Sequence, residues 1–165
     1  MARLSKEFSS CRVLAHEDDA AVIEGTEPFP TFKLDPLRAV YYKALGPLYP
    51  YECVEVDRRL RDGDVVDLLG GLRVVHTPGH TTGSMMLFQP ESRLLFSGDT
   101  IRNESRVLDG PPPQFTPDLD GAFEHIEDRV MTLDFDTLLP GHGDAILTGA
   151  RDAVGRMLDE RKKSR

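Results

Sequence analysis

Apolar and polar residues alternate through the middle of this chain, which is the pattern of strands with one buried face. Short apolar runs separated by turn residues predict strands over residues 11–15, 54–56, 65–68, 72–75, 84–88, 93–96 and 135–139. Turns are predicted at residues 62–64, 70–71 and 89–92, where glycine, aspartate, proline or serine interrupts the apolar runs. The pattern of the central part of the chain therefore predicts a succession of short strands joined by turns.

Helical spacing replaces the alternation in three places. An acidic run at residues 16–19 predicts a helix that ends near Gly25, with His16 as its cap. Thr116 is the predicted cap of a second helix, and Thr148 of a third. Their apolar stripes are Leu119, Phe123, Ile126 and Val130, then Ala150, Val154, Met157 and Leu158. Less regular patterns predict helical pieces over residues 1–9 and 37–45. Strands followed by strand–helix alternation indicate a layered α/β (α+β) fold.

Composition narrows the possible functions. The 165 residues carry a formal net charge of −8, which argues against sequence-independent nucleic-acid binding and against docking on an anionic membrane. The apolar fraction of 39% suffices for the core of a single domain. With only two cysteines, no signal-peptide pattern and no long apolar run, a cytoplasmic location is expected.

Three segments share one design, in which an apolar strand ends, a glycine turn follows and a metal-binding side chain lies at the turn. These side chains are His80, Asp99 and His142. Strand ends hold side chains rigidly, as a coordination sphere requires. If the hairpin turn centres near Glu91, Gly83 pairs opposite Asp99, which places His80 and Asp99 at the same end of the hairpin. Imidazole with carboxylate suits zinc, and also iron or manganese.

The segments 77–81 (TPGHT), 96–99 (FSGD) and 140–143 (PGHG) resemble the last three metal motifs of the metallo-β-lactamase superfamily. The resemblance implies an αββα sandwich with a metal site at one edge of its two sheets. By resemblance, His80 would bind a first metal ion, Asp99 would bridge two ions and His142 would bind the second. It further implies hydrolysis of a small ester, thioester or lactone by a water that the metal activates, with Zn²⁺ as the expected cofactor.

The family signature H-x-H-x-D-H is absent, since no two of the histidines are separated by two positions. The chain is therefore expected to be a single metallo-β-lactamase-like domain over residues 1–165, truncated at its N-terminus and lacking the first strands of the sandwich. Catalytic zinc usually has three protein ligands, so weak metal binding and slow hydrolysis are expected. No catalytic residue is predicted beyond the metal ligands.

Several further features have competing interpretations. Thr81 and Asp144 could orient His80 and His142, although turn formation explains them equally well. His76 lies on a strand, and a structural role is predicted for it. A non-catalytic relative that serves for binding or assembly is the alternative function. A third possibility is a split enzyme that takes the missing motif from another chain. The expected partners are a small-molecule substrate and either a second copy or a missing N-terminal segment.

Overall fold

The computed structural model describes residues 11–28, Val40 and 52–164 of the chain. The predicted helical pieces over residues 1–9 and 37–45 lie outside this part, apart from Val40. Nine strands are described: β1 Leu14–His16, β2 Arg58–Leu60, β3 Val65–Val66, β4 Leu72–His76, β5 Met85–Gln89, β6 Leu94–Gly98, β7 Arg102–Glu104, β8 Val107–Asp109 and β9 Thr137–Pro140. Three α-helices accompany them: α1 Glu17–Ile23, α2 Leu119–Asp128 and α3 Ala150–Lys163.

The main sheet has the strand order β3-β4-β5-β6-β9. Successive strands from β3 to β6 pair antiparallel through short turns, whereas β9 pairs parallel with β6 after the chain has crossed over through α2. Most strands of the main sheet were predicted from alternation, but several boundaries differ. The first predicted strand begins later and includes His16, and the third is only Val65–Val66. The strand predicted over residues 54–56 is wrong, because the strand of this part of the chain is Arg58–Leu60.

The hairpin register differs by one residue from the prediction. Leu87 pairs with Phe96 and Gln89 with Leu94, so the turn centres between Glu91 and Ser92. The cause is the turn itself: the Gln89 side chain accepts the Ser92 N–H at 2.6 Å. Asp99 would thus stand opposite Ser84 rather than Gly83 if the ladder continued. His80 and Asp99 nevertheless lie at the same end of the hairpin.

The main core lies between one face of this sheet and helices α2 and α3. Buried residues of the inner strands, such as Met86, Phe88, Leu95 and Leu138, belong to it. Both predicted helical stripes face this core; Leu119 is only partly buried at its margin, and Val130 falls in a 3₁₀ turn after α2. Removal of these side chains from water is the main stabilising contribution that sequence patterning predicts.

Two predicted helix caps are wrong. The cap of α2 is Asp118, whose side chain accepts the Gly121 N–H, rather than Thr116. The cap of α3 is Gly149 with φ of +69° rather than Thr148, and the carboxylate of Asp136 accepts the Gly149 N–H. The free backbone donors of a helix start are therefore satisfied by groups other than the nearest threonine.

A smaller unit contains β1, α1 and β2. β1 pairs parallel with β2, and Val13, Ala15, Ala20 and Val56 form its own small core. His16 caps α1 as predicted, because its Nδ1 accepts the Asp18 N–H at 3.3 Å. The hairpin of β7 and β8 was not predicted. Within residues 11–28 and 52–164, no helix is long and apolar enough to cross a membrane.

Candidate functional site

Three loops at one end of the main sheet carry the predicted site residues. His80 follows β4, Asp99 follows β6 and His142 follows β9. β6 and β9 run parallel with Gly98 beside Pro140, so the residues after both strands emerge together. The end of β4 is joined to the same edge through β5, which lies between β4 and β6. Topology therefore delivers all three loops to one place.

The three side chains converge on the carboxylate of Asp99. His80 Nε2 lies 3.7 Å from Asp99 Oδ2, and His142 Nε2 lies 3.3 Å from Asp99 Oδ1. Ligand atoms that share one tetrahedral ion at about 2.0–2.1 Å lie about 3.3 Å apart. Each imidazole, paired with the Asp99 carboxylate, therefore fits a divalent ion in both chemistry and spacing. Their assignment as metal ligands remains a prediction.

The His142 loop packs closely against Asp99 and is fixed by hydrogen bonds to neighbouring residues. A Cβ on Gly141 would lie 2.7 Å from Asp99 Oδ1, so only glycine fits there without displacement. The Gly141 N–H donates to the carbonyl of Gly98 at 2.8 Å. Asn103, on β7, donates its backbone N–H to the His142 carbonyl and its side-chain amide to the Asp144 carbonyl. Sequence reasoning missed Asn103 because β7 itself was not predicted.

The His80 loop is held on one side by Asp19 of α1. One carboxylate oxygen accepts the Thr81 hydroxyl at 2.6 Å, and the other accepts the Gly83 N–H at 2.8 Å. Thr81 Oγ1 also lies 2.8 Å from the Ser84 hydroxyl. Thr81, which was predicted to orient His80, thus links the His80 loop to α1. The backbone of Asp144, which was predicted to orient His142, forms hydrogen bonds with Asn103, and Asn103 in turn donates to the His142 carbonyl.

The imidazole of His80 is held on the other side by Thr116, with 3.2 Å between His80 Nδ1 and Thr116 Oγ1. Burial lowers the pKa of His80, and this outweighs the opposing attraction of the carboxylates of Asp99 and Asp19. The nearby charges of Arg102 and His142 lower the pKa further. A neutral imidazole is the form that binds metals.

A second group of possible ligands, His16, Asp18 and His76, has donor atoms within 4.8 Å of one another. Its hydrogen bonds argue against a metal site. His76 Nε2 lies 2.8 Å from the Thr82 carbonyl, which can only accept, so this nitrogen carries a hydrogen. His16 Nδ1 already accepts the Asp18 N–H. The two rings stack at 3.8 Å with 13° between their planes, so their in-plane lone pairs do not converge.

A cavity of about 510 Å³ opens beside His80. Its volume falls within the range of small-molecule sites. The walls combine apolar side chains with carboxylates, and no lysine or arginine is among the described residues that line it. The lining includes Val22, Ile23, Pro78, Pro117, Asp18, Asp19, Glu27 and Asp118.

The sequence model of the metallo-beta-lactamase superfamily matches residues 3–142 of the chain. The probable metallo-hydrolase YflN of Bacillus subtilis is 32% identical over 146 residues, which cover 79% of this chain and 54% of YflN. The acyl-coenzyme A thioesterase MBLAC2 of Homo sapiens is 37% identical over 84 residues, which cover 50% of this chain and 30% of MBLAC2. The chain thus spans about half the length of YflN and less of MBLAC2.

Solved structures show the same fold. A metallo-beta-lactamase family protein of Thermus thermophilus, TTHA1429, superposes with a TM-score of 0.62 at 22% identity, over 97% of this chain and 56% of its own. TTHA1623, solved in a di-iron-bound form, superposes with a TM-score of 0.62 at 25% identity, over 94% of this chain and 67% of its own. The predicted resemblance and fold class are confirmed.

Proposed function

Because this chain belongs to the metallo-beta-lactamase superfamily, we propose that it is a metal-dependent hydrolase that cleaves small acyl thioesters. The family itself supports hydrolysis that depends on a metal. The choice of a thioester draws on the MBLAC2 relatives and on the cavity beside His80. Zinc is the proposed cofactor, with iron or manganese as the alternatives.

The observation that carries the proposal is the meeting of two imidazoles on opposite oxygens of one carboxylate. His80 approaches Asp99 Oδ2 and His142 approaches Asp99 Oδ1. A carboxylate approached in this way can serve one ion or be shared between two. The three residues come from loops that are far apart in sequence, and each loop is held by its own hydrogen bonds. Supporting hydrogen bonds that hold several polar side chains in one place are typical of a functional site.

The roles of the three side chains follow from their chemistry. His80 and His142 would bind through Nε2, and Asp99 would supply the negative charge that offsets the charge of the cation. An ion held there supplies Lewis acidity, which acidifies water and polarises the carbonyl under attack. His80 is largely buried and His142 is exposed, with 16% and 59% of their side chains accessible, so the leaving-thiol part of the substrate would lie on the His142 side.

The cavity beside His80 suits the acyl part of such a substrate. Its apolar walls, Val22, Ile23, Pro78 and Pro117, can bury a hydrocarbon chain. The carboxylates along the rest of the lining would repel a phosphate or carboxylate. We therefore expect an uncharged acyl group in the cavity and any charged part of the leaving thiol outside it.

A hydrolysis assay on the metal-loaded chain tests the proposal. Thioesters with acyl chains of increasing length are compared with the oxygen esters of the same acids, after loading with zinc, manganese or iron. The loss of thioester absorbance should be followed directly, because the exposed cysteines Cys11 and Cys53 would react with a thiol reagent. Because catalytic zinc usually has three protein ligands, we expect slow hydrolysis. The thioesters should still be cleaved faster than the oxygen esters, at a rate that rises with acyl length until the cavity is filled.

Variants separate the site from background hydrolysis. Asp99→Asn and His142→Ala should abolish the metal-dependent rate, whereas His125→Ala, which removes a histidine from α2, should leave it unchanged. A metal-dependent rate that survives Asp99→Asn would contradict the proposed site. Failure of every metal-loaded preparation to cleave any thioester would contradict the proposed activity.

A further inference from the structure

Thr116 has a role that its position in the sequence does not suggest. It is buried, and it follows a 3₁₀ turn over Pro113–Phe115 instead of capping α2. Its hydroxyl lies between two groups, 2.8 Å from the Pro112 carbonyl and 3.2 Å from His80 Nδ1. Both distances are within hydrogen-bond range.

The hydrogens of this arrangement can be counted. A threonine hydroxyl has a single hydrogen, and a carbonyl oxygen can only accept. The shorter contact, with Pro112, therefore takes the Thr116 hydrogen. The lone pairs of Thr116 Oγ1 are then left for His80, so His80 Nδ1 must be the donor. In a neutral imidazole, a hydrogen on Nδ1 leaves Nε2 with a free lone pair.

The other side of the ring agrees with this assignment. His80 Nε2 lies 3.7 Å from Asp99 Oδ2, beyond the length of a hydrogen bond. No hydrogen is therefore required on Nε2 to satisfy Asp99. Nε2 instead lies beside a carboxylate at a separation that leaves room for a cation between the two.

We propose that Thr116 is a positioning residue that holds His80 in the Nδ1–H tautomer and thereby presents Nε2 to a metal ion. The consequence for metal binding rests on the proposed function. The tautomer itself does not, because it is a property of the metal-free chain. A group that hydrogen-bonds the far nitrogen of a metal-binding histidine commonly fixes its tautomer and ring orientation.

The backbone fixes the distance between Thr116 and His80. The Asp118 N–H donates to the Gly79 carbonyl at 3.2 Å. A Cβ on Gly79 would lie 2.6 Å from the Ala122 Cβ, so the turn before His80 is packed directly against the first turn of α2. The His80 loop and the segment that carries Thr116 are therefore joined by the backbone next to the hydroxyl contact.

Nitrogen NMR of the imidazoles in the metal-free chain tests the proposal, with the His80 signals assigned by their loss in His80→Asn. We expect the Nδ1–H tautomer in the wild-type chain and in Thr116→Ser, which keeps the hydroxyl. Thr116→Val should shift His80 towards the Nε2–H tautomer and weaken Zn²⁺ binding about 10- to 100-fold. Thr132→Val, which removes an exposed hydroxyl bonded to the Arg129 carbonyl, is the matched control and should change neither quantity.

A wild-type His80 that carries its hydrogen on Nε2 would overturn the proposal, even if Thr116→Val failed to fold. An unchanged tautomer and unchanged zinc affinity in a folded Thr116→Val would also overturn it. An Nδ1–H tautomer that depends on the hydroxyl would support it even if the chain hydrolysed no thioester, since that outcome contradicts only the proposed function.

Discussion

Replacement of Gly141 by alanine tests whether the His142 loop must lie as close to Asp99 as the structure places it. The new Cβ would lie 2.7 Å from Asp99 Oδ1, against 3.4 Å for the start of ordinary contact, a shortfall of 0.7 Å. It would also lie 2.9 Å from the Gly98 carbonyl, which is backbone and cannot rotate away. The φ of Gly141 is not left-handed, so crowding is the cause of the expected effect.

The magnitude follows from this shortfall. Metal–ligand distances tolerate deviations of only about 0.2 Å, and Asp99 Oδ1 is the oxygen that faces His142. A displacement of several tenths of an ångström should therefore separate the two ligands. We expect zinc affinity to fall about 10- to 100-fold. The free energy of unfolding should fall by about 1–3 kcal/mol, the usual cost of added volume in a packed site.

Zinc affinity can be measured by competition with a chromophoric chelator, and stability by urea unfolding of the metal-free chain. Gly155→Ala is the matched control, since its Cβ within α3 would meet nothing closer than 3.5 Å, at the end of the Met131 side chain. It should leave zinc affinity unchanged and stabilise the chain by about 0.5–1 kcal/mol. A zinc affinity of Gly141→Ala within about twofold of wild type would contradict this prediction, because replacing a residue that supports a metal ligand normally changes the affinity by more than that.

Three more perturbations follow from named contacts. Asp19→Ala should lower the free energy of unfolding, measured in urea, by about 2–3 kcal/mol, because the Asp19 carboxylate accepts hydrogen bonds from Thr81 and Gly83. A loss below about 0.5 kcal/mol would contradict this. Burial, and after it the charge of His76, lowers the pKa of His16 from 6.5, so the folded chain binds fewer protons than the unfolded chain. The contribution of neutral His16 to stability is therefore complete above pH 6.5 and is lost as the pH falls towards the folded pKa. His16→Asn, which keeps a cap acceptor, should lose less stability than wild type between neutral and mildly acidic pH, and equal losses would count against this origin. Phe135→Ala, at a fully buried position, should cost about 3–5 kcal/mol by thermal or urea unfolding without altering the zinc affinity per folded molecule.

Much of the site could be predicted because it depends on strand ends. The apolar runs before Asp99 and His142 place each residue at the carboxyl end of a strand. That these strands, β6 and β9, are adjacent and parallel is known only from the structure, because the sequence spacing does not determine it. His80 could be placed by the hairpin even though the predicted register was one residue off. A shift of one residue changes which side chain faces the core, but it moves the end of a hairpin by only about 3.4 Å.

The contacts that hold these residues could not be predicted, because each joins segments far apart in sequence. Asp19 reaches the His80 loop across 62 positions, and Asn103 reaches Asp144 across 41. Local capping rules assigned Thr116 to the start of α2, but Asp118, slightly further along the chain, takes that role. Thr116 therefore does not cap α2, and its hydroxyl contacts His80 instead. This contact depends on how the His80 loop packs against α2, which local sequence does not predict.

We propose that His80, Asp99 and His142 bind one ion or a closely spaced pair of ions. Crystals of the chain grown with zinc, with data collected at the zinc absorption edge, would locate the ions. We expect an anomalous peak about 2.0–2.2 Å from Asp99 and from at least one of the two Nε2 atoms. A well-occupied zinc at His16 and His76, with none beside Asp99, would contradict it.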